Sequence, residues 1–326
     1  MTGKTPASFA VMDLEGLMSK MIRFHNFGSK DVLKAEDVEI SQPDASEVLV
    51  SVHAASINPV DFKIRSGKYP AVKDDRLPYT LGRDFSGIVA KCGAQAKRFK
   101  VGDEVFGMVG IHGGGYAEQA VVDQDAVAAK PPGIDHLHAT AIPLAGQTAW
   151  QGLFRHGRLQ PGQSVLIHGG SGGVGHFAIQ FAKAEGARVL TTVSTDNVEF
   201  ARELGADVVI DYKTDRFEDR GHDLDMVFDL IDGETRERSW SLLKKGGVLV
   251  STLTEPSQEK AAQFSVRALR YTVEADGAEL AEIATLVATG KVKPHVQRTF
   301  PLIAAADALA CVERGHSVGK VVLEVA

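Results

Sequence analysis

The segment from Ser164 to Val193 constrains the fold more tightly than any other part of the chain. It opens with SVLIH (164–168), a short apolar run of the kind that forms a buried strand. Three glycines follow in the spacing Gly170-x-Gly172-x-x-Gly175. Val174, Phe177, Ala178, Phe181 and Ala182 then fall at i, i+3, i+4, i+7 and i+8, one apolar face of a helix. RVLTTV (188–193) supplies a second strand, so a complete strand–helix–strand unit fits into about 30 residues.

Glycine makes up 33 of the 326 residues, so the spacing alone carries little weight, and a plain strand-to-helix turn uses the same residue types. The flanking strand and helix give each glycine a task. Gly170 permits the tight turn, Gly172 lets the backbone approach a pyrophosphate with no Cβ in the way, and Gly175 lets the helix pack close on the strand. The exposed N–H groups and partial positive charge at the helix start favour phosphate. The segment therefore predicts a dinucleotide site.

The identity of the dinucleotide turns on the end of the second strand, where an acidic residue ordinarily binds a ribose 2′-hydroxyl. Here that position is Ser194, which leaves room for a 2′-phosphate and adds no repulsive charge. Tyr212 and Lys213, at the end of the next strand in VIDYK, reach toward the same phosphate, which points to NADPH. Asp196, two residues late, is the opposing signal, and Ser194 also suits a helix cap.

Strand and helix alternate from Ser164 to a helix at 276–290, which predicts a parallel sheet covered by helices. Before it, residues 21 to about 130 read as short strands bounded by Gly, Pro or Asp, among them 47–57, 85–93, 102–109, 116–122 and 126–132, the signature of a barrel or sandwich. A helix is expected at 143–154. The tail reads strand, helix, strand, so the chain is expected to return to its first domain. The expected division is an extension over 1–20, one domain from 21–143 plus 291–326, and a nucleotide-binding domain over 144–290.

Two cysteines, Cys92 and Cys311, are too few for a disulfide framework or a cysteine-rich zinc lobe and suit the reducing cytoplasm. No apolar run approaches the ~18 residues of a membrane span. A formal charge of −6, with no long block of one sign, argues against nucleic acid or an anionic membrane as partner.

GRDFSGIVAKCGAQAKRFKVGDEVFG, GGYAEQAVV and SVLIHGGSGGVGHFAIQFAK resemble the medium-chain dehydrogenase/reductase superfamily. SINPVDFKIRSGKYP, LGADVVIDYK and ERGHSVGKVVLEV resemble its zinc-free quinone oxidoreductase branch, over residues 21–326. The resemblance implies an α/β protein with a GroES-like β-rich domain, a Rossmann doubly wound parallel-sheet domain and a homodimer. Zinc-dependent members carry cysteine where this chain has Asn58, and Gly-His-Glu where it has Gly82-Arg83-Asp84. Asparagine and arginine there remove two of the three protein ligands a catalytic zinc needs.

By the same resemblance, Ser171, Gly173 and Val174 border the pyrophosphate, and Ser194 and Tyr212 the adenosine phosphate. Thr148, Thr252 and Leu253 border the nicotinamide, and His316 and Ser317 come in from the returning tail. Relatives often have lysine near Asn197 or Val198 and a basic residue at Val318, and this chain has neither. The implied chemistry is hydride transfer to a quinone or an α,β-unsaturated carbonyl, electrophilic enough to need no metal. Asn58 is the candidate donor to a substrate oxygen, Tyr69 or water the candidate proton source, and Asp61 a residue near the site or a partner of Arg65 or Arg83. An enoyl-thioester or polyketide-type reductase uses the same machinery. A non-catalytic NADPH-binding sensor or structural protein is the alternative of a different class.

Overall fold

The first half of the chain is built from strands short enough to be fixed by pairing. They are β1 (Met18–Phe24), β2 (Lys34–Glu39), β3 (Glu47–Ser56), β4 (Tyr79–Thr80), β5 (Asp84–Cys92), β6 (Glu104–Met108), β7 (Gln119–Asp123) and β8 (Val127–Ala129). The second half alternates β9 (Ser164–His168), β10 (Arg188–Val193), β11 (Val208–Asp211), β12 (Leu224–Asp229), β13 (Leu243–Ser251) and β14 (Arg267–Arg270) with helices, and the tail adds β15 (Val296–Pro301) and β16 (Lys320–Glu324). The helices that matter below are α1 (Pro59–Arg65), α2 (His136–Thr140), α3 (Pro143–Trp150), α4 (Gly175–Ala184) and α5 (Val198–Glu203). They are followed by α6 (Gly233–Ser239), α7 (Gln258–Phe264), α8 (Gly277–Ala288) and α9 (Ala305–Glu313). This computed structural model describes residues 18–111, 113–315 and 317–326.

Among the described residues, β9 to β14 form one parallel sheet in the order β11-β10-β9-β12-β13-β14. The order reverses direction on either side of β9, the switch point at which doubly wound sheets bind nucleotides. Both faces are covered, so successive residues of one strand are buried on opposite sides. Val165 and Ile167 of β9 meet Phe177, Ala178 and Phe181 of α4 and Leu280 and Ile283 of α8. Leu166 faces Trp240, Leu242 and Ala261 on the other side. The helical face anticipated at Phe177, Ala178, Phe181 and Ala182 is fully buried, with Val174 packed at its edge.

The other large sheet has the order β15-β16-β3-β5-β6-β8, with β7 on β3. The tail does return to the first domain: β16 lies between β15 and β3, pairing Leu323 with Phe300 and with Ala55. A smaller sheet, β2-β1-β4, had no counterpart in the sequence reading, because KAEDVE in β2 is mostly exposed and only pairing with β1 holds it. β1 takes in Met18, Ser19 and Lys20 from the stretch read as an extension. Ser19 is buried and the strand pairs with β2 along most of its length. The helix expected over 143–154 is α-helical to Trp150 and continues as a π-helix from Gln151 to His156. Gly152 lies in the wider turn, where a Cβ would sit 2.4 Å from Phe228 and 2.6 Å from the Tyr271 hydroxyl.

Leu323 is fully buried in the core that β16 shares with α9 and α1. Leu323→Ala is expected to destabilise the protein by about 2–5 kcal/mol, as other large-to-small core substitutions do. Denaturant unfolding measures this, and a loss below about 1 kcal/mol would mean that the returning strand does not carry that core.

Candidate nucleotide and acceptor site

At the end of β9, the Gly169 and Gly170 amides both donate to Thr192 O, at 3.2 and 3.1 Å, which bends the chain into the glycine turn. The left-handed residue is Gly169, with φ +75°, rather than Gly170. Gly170 is required for a different reason: a Cβ there would lie 2.0 Å from Thr191 Oγ1. Gly175 is required by close packing, since a Cβ would lie 2.2 Å from Gly169 O. Gly172 differs from both. Its φ lies outside the left-handed region and the nearest atom to an added Cβ is Gly169 O at 3.4 Å, an ordinary contact. Neither backbone nor packing demands glycine at 172, so the room above the turn fits a group such as a pyrophosphate.

Two buried histidines brace this turn. Burial pulls His168 and His176 down to about 3, so both rings are neutral near pH 7. His176 Nδ1–H donates to Gly172 O at 3.0 Å, which leaves Nε2 to accept from the His295 amide at 3.4 Å. His168 bonds Thr192 Oγ1 at 3.0 Å and Ser239 Oγ at 2.8 Å.

The residues expected to read the adenosine end gather at the C-terminal ends of β10 and β11. Ser194 is buried there, and the Asn197 amide donates to both Ser194 Oγ, at 3.0 Å, and Ser171 Oγ, at 3.1 Å. One side chain thus ties the turn to the strand end, a link the sequence reading missed. Tyr212 is 51% exposed beside them, Lys213 is exposed, and Asp196 sits in a 3-10 turn facing solvent. The Asp211 carboxyl is held below its ordinary value, chiefly by the Thr195 hydroxyl and then by the Lys213 amide and charge. Ile231, also missed, is 52% exposed just after β12 and would lie 3.0 Å from a Cβ at Gly169. Its signal was an apolar residue following a buried strand end.

Thr148 lies on α3 with its hydroxyl bonded back to Leu144 O at 2.6 Å, and Tyr271 Oη donates to the Thr148 carbonyl. Thr252 and Leu253 follow β13 at the same edge of the sheet as the glycine turn. Ser317 precedes the strip Val318–Gly319, whose Gly319 amide donates to Ser171 O at 2.8 Å. His316 lies outside the described residues. Tyr69 is half-buried against Ile57, Ile64 and their neighbours.

Asn58 does not present a free amide. It is 1% exposed, and Nδ2 donates to Asp84 Oδ2 at 2.8 Å and, more weakly, to Ser56 O at 3.4 Å. Its Oδ1 accepts from Lys320 Nζ at 2.5 Å. A side chain with both ends committed inside the protein has no donor left for a substrate oxygen, so the donor role expected of Asn58 is corrected to a structural one. Asp61 pairs with neither arginine: its Oδ2 accepts from Tyr116 Oη at 2.6 Å and the Asn58 amide at 2.8 Å. Arg65 binds Glu313 and Arg83 binds Val109 O. Burial pushes the Asp61 carboxyl up to about 6 against the pull of these two donors. Ionising it therefore costs stability: the cost is absent below 3.8, grows as pH rises to about 6, and is constant above.

A zinc ion does not fit this wall. The Lys320 amino group, itself buried, bonds Asn58 Oδ1 and lies 3.6 Å from Asp84 Oδ2, so it already fills the neighbourhood of Asn58. Among the described residues, no three histidine, cysteine or acidic side chains are arranged to hold a metal.

The three glycines make separable predictions. Gly175→Ala is expected to lower the thermal midpoint, because its Cβ meets backbone, whereas Gly172→Ala leaves the midpoint near that of the parent and weakens NADPH binding. Thermal unfolding with and without nucleotide separates the two, and a Gly172→Ala protein that binds NADPH normally would contradict the assignment of the turn.

Residues 44–132 match the alcohol dehydrogenase GroES-like domain family and residues 204–323 the zinc-binding dehydrogenase family. The chain is 37% identical over 316 residues to 2-methylene-furan-3-one reductase of Solanum lycopersicum, covering 92% of this chain and 77% of that one. Its fold matches the quinone oxidoreductase of Coxiella burnetii at TM-score 0.88 and 36% identity, over 95% of this chain and 100% of that one. It also matches Escherichia coli quinone oxidoreductase, whose structure is a complex with NADPH, at TM-score 0.85 and 30% identity, over 94% and 100% of the two chains. A glycine turn at the switch point, facing a wall closed by Asn58, Asp84 and Lys320, agrees with these likenesses, and the chain belongs to the medium-chain dehydrogenase/reductase superfamily, in its zinc-free quinone oxidoreductase branch.

Proposed function

We propose that the protein is an NADPH-dependent reductase that delivers hydride to a quinone or an α,β-unsaturated carbonyl. The observation that supports this reading is the wall opposite the glycine turn, which Lys320, Asn58 and Asp84 close by bonding to one another. A wall closed in this way suits an acceptor that is electrophilic through its own conjugation. When bound, NADPH supplies a hydride from its nicotinamide C4.

The chain's own residues supply placement and a dry pocket. Ser171, Gly172, Gly173 and Val174 would hold the pyrophosphate, and Ser194, Tyr212 and Lys213 the adenosine ribose and its phosphate. Thr148, Thr252, Leu253 and Ser317 would border the nicotinamide. The proton that completes the reduction comes from water, with Tyr69 as the candidate side chain to assist. The two described cysteines are unpaired, which suits a reducing compartment such as the cytoplasm. No described helix is long and apolar enough to cross a membrane.

The same reading includes a homodimer. Among the described residues β14 is the edge strand of the nucleotide sheet, paired with β13, and Val266, Leu269 and Val273 along its stretch are half-buried. Two copies joined there would form one continuous sheet. Light scattering at micromolar concentration is expected to give twice the chain mass, and a monomer mass would reject the pairing.

NADPH is expected to be consumed with a quinone or an enal as acceptor, and to raise the thermal midpoint more than NADH at equal concentration. A nucleotide at 100 times its Kd stabilises by about 2.7 kcal/mol, enough to resolve the difference. Equal shifts, or a larger one with NADH, would assign the ribose to Asp196 instead. NADPH binding without turnover on any acceptor would favour a sensor.

A further inference from the structure

The reading above uses Lys320 only as part of the wall, yet its amino group is buried and closely bonded. Its side chain is 3% exposed, and its Nζ donates to Ile57 O at 3.0 Å and to Asn58 Oδ1 at 2.5 Å, with Asp84 Oδ2 at 3.6 Å. Asp84 extends the network in two directions. Its Oδ2 accepts from Ser56 Oγ at 2.6 Å and Asn58 Nδ2 at 2.8 Å, and its Oδ1 accepts from the Leu144 amide at 2.8 Å, in the first turn of α3, the helix that carries Thr148.

The backbone of the same residue pair reaches the opposite wall. The Gly319 amide donates to Ser171 O in the glycine turn, and Lys320 Cδ would lie 3.2 Å from a Cβ on Gly173. Gly319 has φ +60°, and a Cβ there would meet His295 O at 2.4 Å, so the strip runs in this one path. The Lys320 amide is fixed to His295 O at 2.9 Å. A single dipeptide therefore bonds the nucleotide turn through its backbone and the acceptor wall through its side chain.

We propose that Lys320 is a positioning residue that sets the spacing between the glycine turn and the wall formed by Asn58, Asp84 and α3, and so sets the distance over which hydride passes. The proposal rests on the reductase reading of this site. Lys320 reaches the reaction through Asn58 and Asp84. Its ammonium fixes which end of the Asn58 amide faces which partner, because an ammonium only donates and an ionised carboxylate only accepts. Losing Lys320 alone leaves Asp84 as a buried charge without its cation, which is strongly destabilising, whereas removing both charges together is tolerated far better.

The test compares Lys320→Met and Lys320→Met/Asp84→Asn with the parent protein in thermal midpoint, NADPH Kd, kcat with one quinone, and hydrogen exchange of the Gly319 amide without nucleotide. The single variant is expected to lose thermal stability and the double variant to regain most of it. In the double variant kcat falls roughly 10- to 100-fold, the scale of a misplacement of about 1 Å. The NADPH Kd changes less than about threefold, under 0.7 kcal/mol, because the expected phosphate contacts are untouched. Gly319 exchange quickens. A purely structural role would restore kcat together with stability, and that result would overturn the proposal, as would a loss confined to NADPH affinity. A parent protein that turns over no acceptor would overturn the reductase reading itself, and is told apart by the parent alone.

Discussion

Lys320 places its amino group where the fold excludes water: burial pulls its pKa down and Asp84 opposes that pull, and a charge so placed persists only with a carboxylate and a full set of acceptors around it. Asp84, Asn58 and the Ile57 carbonyl provide them, and each of these comes from a part of the chain that builds the first-domain wall. Satisfying the lysine therefore fixes the end of β3, the start of β5 and the first turn of α3 relative to one another. Because its backbone neighbour is bonded to Ser171, the same requirement carries across the cleft to the glycine turn. The neighbouring Asp61 keeps Oδ1 without a hydrogen-bond partner, and its raised pKa reflects chiefly its burial, with the nearby Asp84 charge adding to it.

The glycine turn divides its work among residues of the same type. Gly169 supplies the left-handed backbone, Gly170 clears Thr191, Gly175 closes helix on strand, and Gly172 alone is free of intramolecular demand. Neutral His176 anchors the carbonyl of Gly172 from below. At the outer end Asn197 spans Ser171 and Ser194, so the two hydroxyls expected to meet phosphates are already held apart by one amide. Preorganisation of this kind lets binding energy go into orienting the nicotinamide rather than ordering the turn.

The nucleotide half was legible because its signals are local. A buried strand, a glycine spacing and a helical period all lie within one short segment and agree with one another. The first sheet was less legible: β2 is a run of mostly charged residues that becomes a strand only through its partner β1. Asp61 was matched to the arginines closest in sequence or motif, yet its partner Tyr116 lies 55 residues away. The Lys320–Asn58 contact spans 262 residues, and no period or spacing reports a contact of that range. Asn58 was read as a free donor, whereas its commitment to Lys320 and Asp84 is visible only after folding.

The central claim is that hydride passes directly from NADPH to a conjugated acceptor at a wall without metal. Single-turnover reduction of an enal by NADPH deuterated at both C4 positions, with and without a strong chelator, tests it most directly. The account predicts one deuterium at the carbon β to the carbonyl of the product and a rate the chelator does not change. A product without deuterium, or turnover abolished by the chelator and restored by zinc, would contradict it.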